Sequence, residues 1–138
     1  MEKKDLQNFN VTVLGVIFDP RKKEILIGKR KNDYSAPDLR WCFVGGQLTT
    51  DEPIDKILKR KIKERTGLNI KNLGAIFVDN SSMKNNFLLV YFLCEAVEGE
   101  EKIGEKFEEL KWISPKDISK YFNHPIHVRL KEYLDNLA

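Results

Sequence analysis

Two adjacent glycines, Gly45 and Gly46, close a short apolar segment, and an amphipathic run follows and stops at Gly67. That order restricts the chain to a strand, a tight loop and a helix in immediate succession. Trp41-Cys42-Phe43-Val44 predicts a short strand that halts at the glycine pair. After a polar loop, Pro53 suits the first residue of a helix, with Asp51 and Glu52 near its positive end. Ile54, Ile57, Leu58 and Ile62 then recur at helical spacing. Gly67 stands where a left-handed cap ends such a helix.

The flanking sequence reads mostly as strands. Residues 11–18 are apolar and β-branched, and Asp19-Pro20 with the following basic residues makes a turn into a second strand over 24–29. Residues 31–40 are polar and contain Pro37, which predicts a surface loop. Two more strands are expected over 73–79 and 87–97, joined by a polar loop over 80–86, and a short one over 110–113. Ser114-Pro115 provides a helix N-cap and first turn, and residues 127–137 form a closing amphipathic helix. The expected architecture is an α/β layered sandwich, a mixed sheet with helices packed on it. No repeat or Pro/Gly/Ser-rich linker divides it, so residues 1–138 are read as one domain.

Bulk properties exclude several classes. Residues 1–9 carry no apolar stretch of a signal peptide, and the apolar run 87–94 is too short to span a bilayer. A cytoplasmic location without membrane association is expected. Cys42 and Cys94 lie in apolar segments without metal-ligand or redox spacing, and read as reduced, buried small hydrophobes. A net charge of +3 does not argue for nucleic acid, although basic residues crowd between Lys56 and Arg65.

The segment 46–68 runs Gly46, five residues, Glu52, seven residues, Arg60, then Lys61-Ile62-Lys63-Glu64-Arg65-Thr66-Gly67-Leu68. It resembles the box of the Nudix family, matching at Gly46, Glu52, Arg60, Ile62, Glu64, Gly67 and Leu68. Lys61 and Arg65 stand where that pattern has glutamates. Ile25-Leu26-Ile27-Gly28-Lys29-Arg30, the Trp41 to Gly46 entry (with Val44 for the usual Pro), and Glu109-Leu110-Lys111-Trp112-Ile113 followed by Asp117 are also similar to the family, in the correct order. The resemblance implies a Nudix-type α/β/α sandwich with a mixed central sheet. It also implies cleavage of a nucleoside diphosphate linked to another group, by water attacking phosphorus with Mg2+ or Mn2+. Glu52, Arg60 and Gly67 would be structural, Glu64 catalytic, and Gly45 and Glu64 metal ligands. Gly45 and Gly46 would let the backbone approach metal and phosphates closely.

Lys61 and Arg65 change that expectation. They are one helical turn apart and fall within the apolar stripe, with Glu64 at its edge. An unpaired buried cation costs several kcal/mol, so this end of the helix must open onto a wet cleft or meet anions. With Glu64, the two cations leave one net positive charge where the family pattern has three negative charges. This opposes magnesium but suits a diphosphate, which Lys61 and Arg65 can neutralise directly. Carboxylates of Glu105, Glu108 or Glu109 could approach from a later loop, and Arg30 could touch phosphate. The plainer alternative is that both cations snorkel past the helix end.

Substrate markers are sparse. The proline that ADP-ribose-specific relatives carry beyond the box is absent. Tyr34, Phe77, Tyr91, Tyr121 and Phe122 could stack on a base or belong to core and surface, and His124 and His127 read as polar residues near a helix start. Three readings follow: a divergent hydrolase of nucleoside diphosphate derivatives, a non-catalytic nucleotide-binding or sensing module that uses no metal, and an RNA-binding protein using the basic helix. The last lacks aromatics interleaved with the basic run. A homodimer is a further arrangement that the resemblance brings.

Overall fold

Alternation along the first strand decides how the layers assemble. In a computed structural model, which describes residues 9–31, 40–80 and 86–138, strand β1 (Asn10–Asp19) points Val13, Gly15 and Ile17 to one face and Val16 to the other. Val13, Val16 and Ile17 are fully buried, so both faces of the sheet are covered. Strand β2 (Glu24–Arg30) repeats the pattern, with Leu26 on the first face and Ile25 and Ile27 on the second.

The sheet continues with β3 (Trp41–Cys42), β4 (Val44–Gln47), β5 (Leu68–Asp79), β6 (Phe87–Gly99) and β7 (Phe107–Ile113). Its main path runs β3-β2-β1-β6-β5, with β4 added to β1 and β7 to β2. The β1–β6 pair is parallel and the other pairs are antiparallel, which makes the sheet mixed. Helix α1 (Ile54–Thr66) packs on the Val13 face through Leu58 and Ile62. A 3-10 turn (Pro115–Asp117), the one-turn helix α2 (Ile118–Tyr121) and α3 (Val128–Leu137) cover the other face with Ile118, Leu130 and Leu134. This is the expected α/β/α sandwich.

Several boundaries differ from the sequence reading. The strand expected over 41–44 does not stop at the glycines: it breaks at Phe43 and resumes through Gly45 and Gly46, which pair with Leu14 and Val13 of β1. Pro53 is the extended N-cap of α1, and the helix starts at Ile54. Ile54 is 43% exposed and leaves the apolar stripe, whereas Thr66 is fully buried. Strand β5 starts at Leu68, five residues before the expected position, because register shifts at three places break its two-residue alternation. The helix expected at Ser114 opens as a 3-10 turn, and Ser114 makes no side-chain cap bond. His127 is the N-cap of α3, its side chain accepting from the Arg129 amide. Most of the loops expected over 31–40 and 80–86, Tyr34 included, lie outside the described residues.

The stripe makes a direct prediction. Truncation of fully buried Ile62 to Ala should cost about 2–5 kcal/mol in urea unfolding, while Ile54→Ala should stay within about 0.5–1 kcal/mol. Equal losses at both positions would refute this packing of α1.

Candidate functional site

The docking of α1 places its last two turns against β4. A side chain at Gly15 would meet Ile62 Cδ1 at 2.8 Å, so the helix sits directly on the strand there. Lys61, one residue before, lays its methylenes over Gly46, where a Cβ would lie 3.0 to 3.3 Å from Cδ, Cγ and Cε. Arg65, one turn later, donates from its guanidinium to the Gly45 carbonyl. Both cations therefore face the glycine pair, with the Lys61 side chain 27% exposed. Close packing also constrains the glycines. A Cβ on Gly45 would overlap the Val13 carbonyl oxygen, so sheet packing demands a glycine there, whereas one on Gly46 would only press on the Lys61 methylenes.

Burial pulls the Arg65 pKa down, and the like charge of Arg30 adds to this, while Cys42, Glu64 and Glu105 oppose it. Arg30 ends β2, where its amide donates to the Arg40 carbonyl and it stands opposite Phe107 of β7. The structure thus gathers Arg30, Lys61, Arg65 and the Gly45-Gly46 strand at one edge of the α1 layer.

The acidic residues are engaged locally. Glu52 accepts twice from Arg60 Nη1, at 2.8 and 3.0 Å, and once from the Thr50 hydroxyl. The Arg60 hydrogen bond, then that of Thr50, holds the Glu52 carboxyl below its usual range. This ties the loop before α1 to the middle of the helix. Glu64 lies between two cations, 4.0 Å from Arg60 Nε and 3.9 Å from Lys61 Nζ. Glu108 pairs with Arg40 at 3.1 Å and Lys29 at 3.5 Å. Glu105 acts on Arg65 through its charge, and Glu109 is exposed opposite Lys29 on β7.

A segment that sequence reasoning did not single out closes the helix. Gly67 has a φ of 77° and caps α1 as expected. Beyond that cap, the Lys102 amide donates to the Thr66 carbonyl (2.7 Å) and the Gly104 amide to the Arg65 carbonyl (3.0 Å). These are helix-terminal carbonyls that have no partner within the helix. A lone glycine at 104 carries no sequence signal for such a contact.

A family model described as NUDIX domain matches residues 8–137. The chain belongs to the Nudix family. An ADP-ribose pyrophosphatase of Methanocaldococcus jannaschii is 26% identical over 136 residues, spanning 90% of this chain and 77% of that protein. The nucleoside triphosphatase NudI of Escherichia coli is 26% identical over 108 residues, spanning 70% of this chain and 77% of its own. In fold, the chain is similar to a NUDIX hydrolase from Nitrosomonas europaea, with a TM-score of 0.76 at 16% identity over 95% of this chain and 73% of the other.

At this Nudix box two of the oxygen donors that a divalent cation would use already face cations. Magnesium in a phosphate site is bound through one or two protein carboxylates, with water and substrate phosphate completing its six oxygen ligands. Here the Gly45 carbonyl accepts from Arg65 and the Glu64 carboxylate lies beside Arg60 and Lys61. Among the described residues no group of three or more His, Cys, Asp and Glu is placed to hold a metal ion.

Other candidates belong to packing. Tyr91 and Phe122 are buried on the α3 side, each edge-on to Phe43, and Phe77 packs on Tyr91 and His127. Tyr121 packs edge-on to Trp41 under Lys111. His124 stacks on Phe122, and burial lowers its pKa. None of these rings belongs to the α1 face that carries the cations. The basic run on α1 is also matched: Lys56 pairs with Glu52, Lys59 with Asp55, and Lys63 bonds the Gly67 carbonyl. No helix among the described residues is long and apolar enough to cross a membrane.

Both cysteines are free thiols, but only Cys94 is buried as expected, Cys42 being partly exposed at the sheet edge strand β3. Burial pushes the Cys42 thiol up to about 11, against the opposing charges of Arg30 and Arg65. A pKa raised by folding adds stability that is complete below the unfolded value and disappears as pH climbs through the folded one. Stability to urea should therefore fall between about pH 9 and 11, and Cys42→Ala should lessen the fall. An unchanged pH profile in that variant would disprove the assignment.

Proposed function

We propose that this protein is a Nudix-family nucleotide-binding module, a single domain that binds a nucleoside diphosphate derivative without metal and does not hydrolyse it. In this reading Lys61 and Arg65 bind the phosphates, with Arg30 at the edge and Gly45 and Gly46 as the floor. The observation that carries it is the approach of both cations to the glycine pair, Arg65 on the Gly45 carbonyl and Lys61 over Gly46.

Electrostatics favour this outcome. Hydrogen bonds to a charged group contribute about 1.5–3 kcal/mol each, and a guanidinium can offer a phosphate two at once. Arg65 is already half-buried and oriented, so little ordering is left for binding. Hydrolysis would need a base or metal to activate water. Glu64, the catalytic candidate, sits within ion-pair distance of Arg60 and Lys61, which favours its remaining an unreactive counter-ion.

A second reading, a divergent hydrolase, is favoured by the names of two relatives, an ADP-ribose pyrophosphatase and a nucleoside triphosphatase. It would need Glu64 and Glu105 to hold Mg2+ or Mn2+ after Arg65 leaves the Gly45 carbonyl. RNA binding has no comparable support, since the outward lysines of α1 already have partners.

Calorimetry and product analysis on ADP-ribose, nucleoside triphosphates and inorganic pyrophosphate, with magnesium, with manganese and with chelator, separate these readings. Saturable binding in chelator without turnover is expected. The Lys61→Ala, Arg65→Ala double variant should bind at least about tenfold more weakly. Metal-dependent cleavage lost in Glu64→Gln would establish the hydrolase instead, and undiminished binding by the double variant would exclude these two cations as the phosphate site.

A further inference from the structure

The connection between β6 and β7 touches both of the elements that carry the site's arginines. At one end it grips the last turn of α1. The Gly104 amide bonds the Arg65 carbonyl, the Lys102 amide bonds the Thr66 carbonyl, and a Cβ at Gly104 would overlap the Glu64 carbonyl oxygen and come within 2.7 Å of Arg65 Cα. Gly67 is equally close, since a Cβ there would overlap the Glu100 carbonyl oxygen. At the other end it grips the end of β2. The Lys31 amide bonds the Lys106 carbonyl at 2.9 Å, Phe107 pairs with Arg30, and the Phe107 ring fills the space over Gly28, 2.6 Å from where a Cβ would be.

We propose that the segment 100–107 is a positioning element for the phosphate site, and that Gly104 is the residue in it that sets Arg65. The inference rests on the phosphate-binding reading above and adds what holds that site in shape. Two guanidinium groups within electrostatic range repel each other, the more so when partly desolvated. A chain segment bonded to both elements opposes their separation and so holds the Arg65 turn against the end of β2. Backbone contact this close to Glu64 and Arg65 leaves no room for a side chain at 104. Any residue larger than glycine must lift the segment or rotate the last turn of α1, and with it the Arg65 side chain.

A double-mutant cycle tests this. Inorganic pyrophosphate in chelator is titrated calorimetrically into the wild type, Gly104→Ala, Arg65→Ala and the double variant, at a temperature where circular dichroism shows each to be folded. If Gly104 acts through Arg65, each single variant weakens binding by about tenfold, and the double variant matches Arg65→Ala to within about twofold. Losses that multiply in the double variant, or full affinity in Gly104→Ala, would overturn the proposal. If Gly104→Ala does not fold, Lys102→Pro, which removes the amide bonded to Thr66 and keeps Gly104, tests the segment in the same cycle. Full affinity, or a loss that multiplies with that of Arg65→Ala, would overturn its positioning role. Absence of pyrophosphate binding in the wild type would instead sink the phosphate-site reading itself, before any variant is compared.

Discussion

The contact of Ile62 with Gly15 is the constraint on which the rest of the site depends. With no Cβ on Gly15, α1 approaches β1 until Ile62 Cδ1 fills the space, and Ile62 is fully buried there. Burying such a side chain is worth about 1.5–3 kcal/mol. Helical geometry does the remainder, because residues one before and three after Ile62 share the sheet-facing side. From there Lys61 crosses Gly46 and Arg65 reaches the Gly45 carbonyl. Two long cations thus start from the half-buried side of the helix.

Their charge is tolerated for identifiable reasons. The guanidinium of Arg65 finds a carbonyl acceptor, and it sits in the last turn of α1, where a cation is favourable to the helix dipole. Lys61 shares the carboxylate of Glu64, which Arg60 also approaches, while Glu52 holds Arg60 from the loop before the helix. The Glu52–Arg60 pair that other members of the family would use to brace a catalytic helix is therefore intact. What is altered is the charge carried at positions 61 and 65. The scaffold is that of the Nudix family, and the helix turn facing Gly45 and Gly46 carries Lys61 and Arg65.

How far the sequence could be read depended on whether a signal was local. The helical spacing of Ile57, Leu58 and Ile62 and the cap at Gly67 were legible because capping and periodicity act within one helix. Ile54 was misassigned since periodicity places a residue on a face without revealing whether another layer covers it. Strand β5 was shortened because its register shifts erase the alternation by which a strand is recognised. At the glycine pair, the sequence signalled a stop, yet the strand passes through it to pair with β1. Glycine marks close approach as readily as a turn, and only the partner tells which.

From the sequence alone came the order of elements, the family pattern from Gly46 to Leu68, and the presence of two cations where carboxylates were expected. These follow from spacing and residue type, which need no third dimension. Tertiary structure decided that Arg65 takes the Gly45 carbonyl and that Gly45 is required by the Val13 carbonyl. It also decided that the segment 100–107 joins the Arg65 turn to the Arg30 strand. Those contacts link residues 20 to 77 positions apart by their numbers, and nothing local encodes them. They arise when the sheet and α1 close around one core and bring distant backbone into contact.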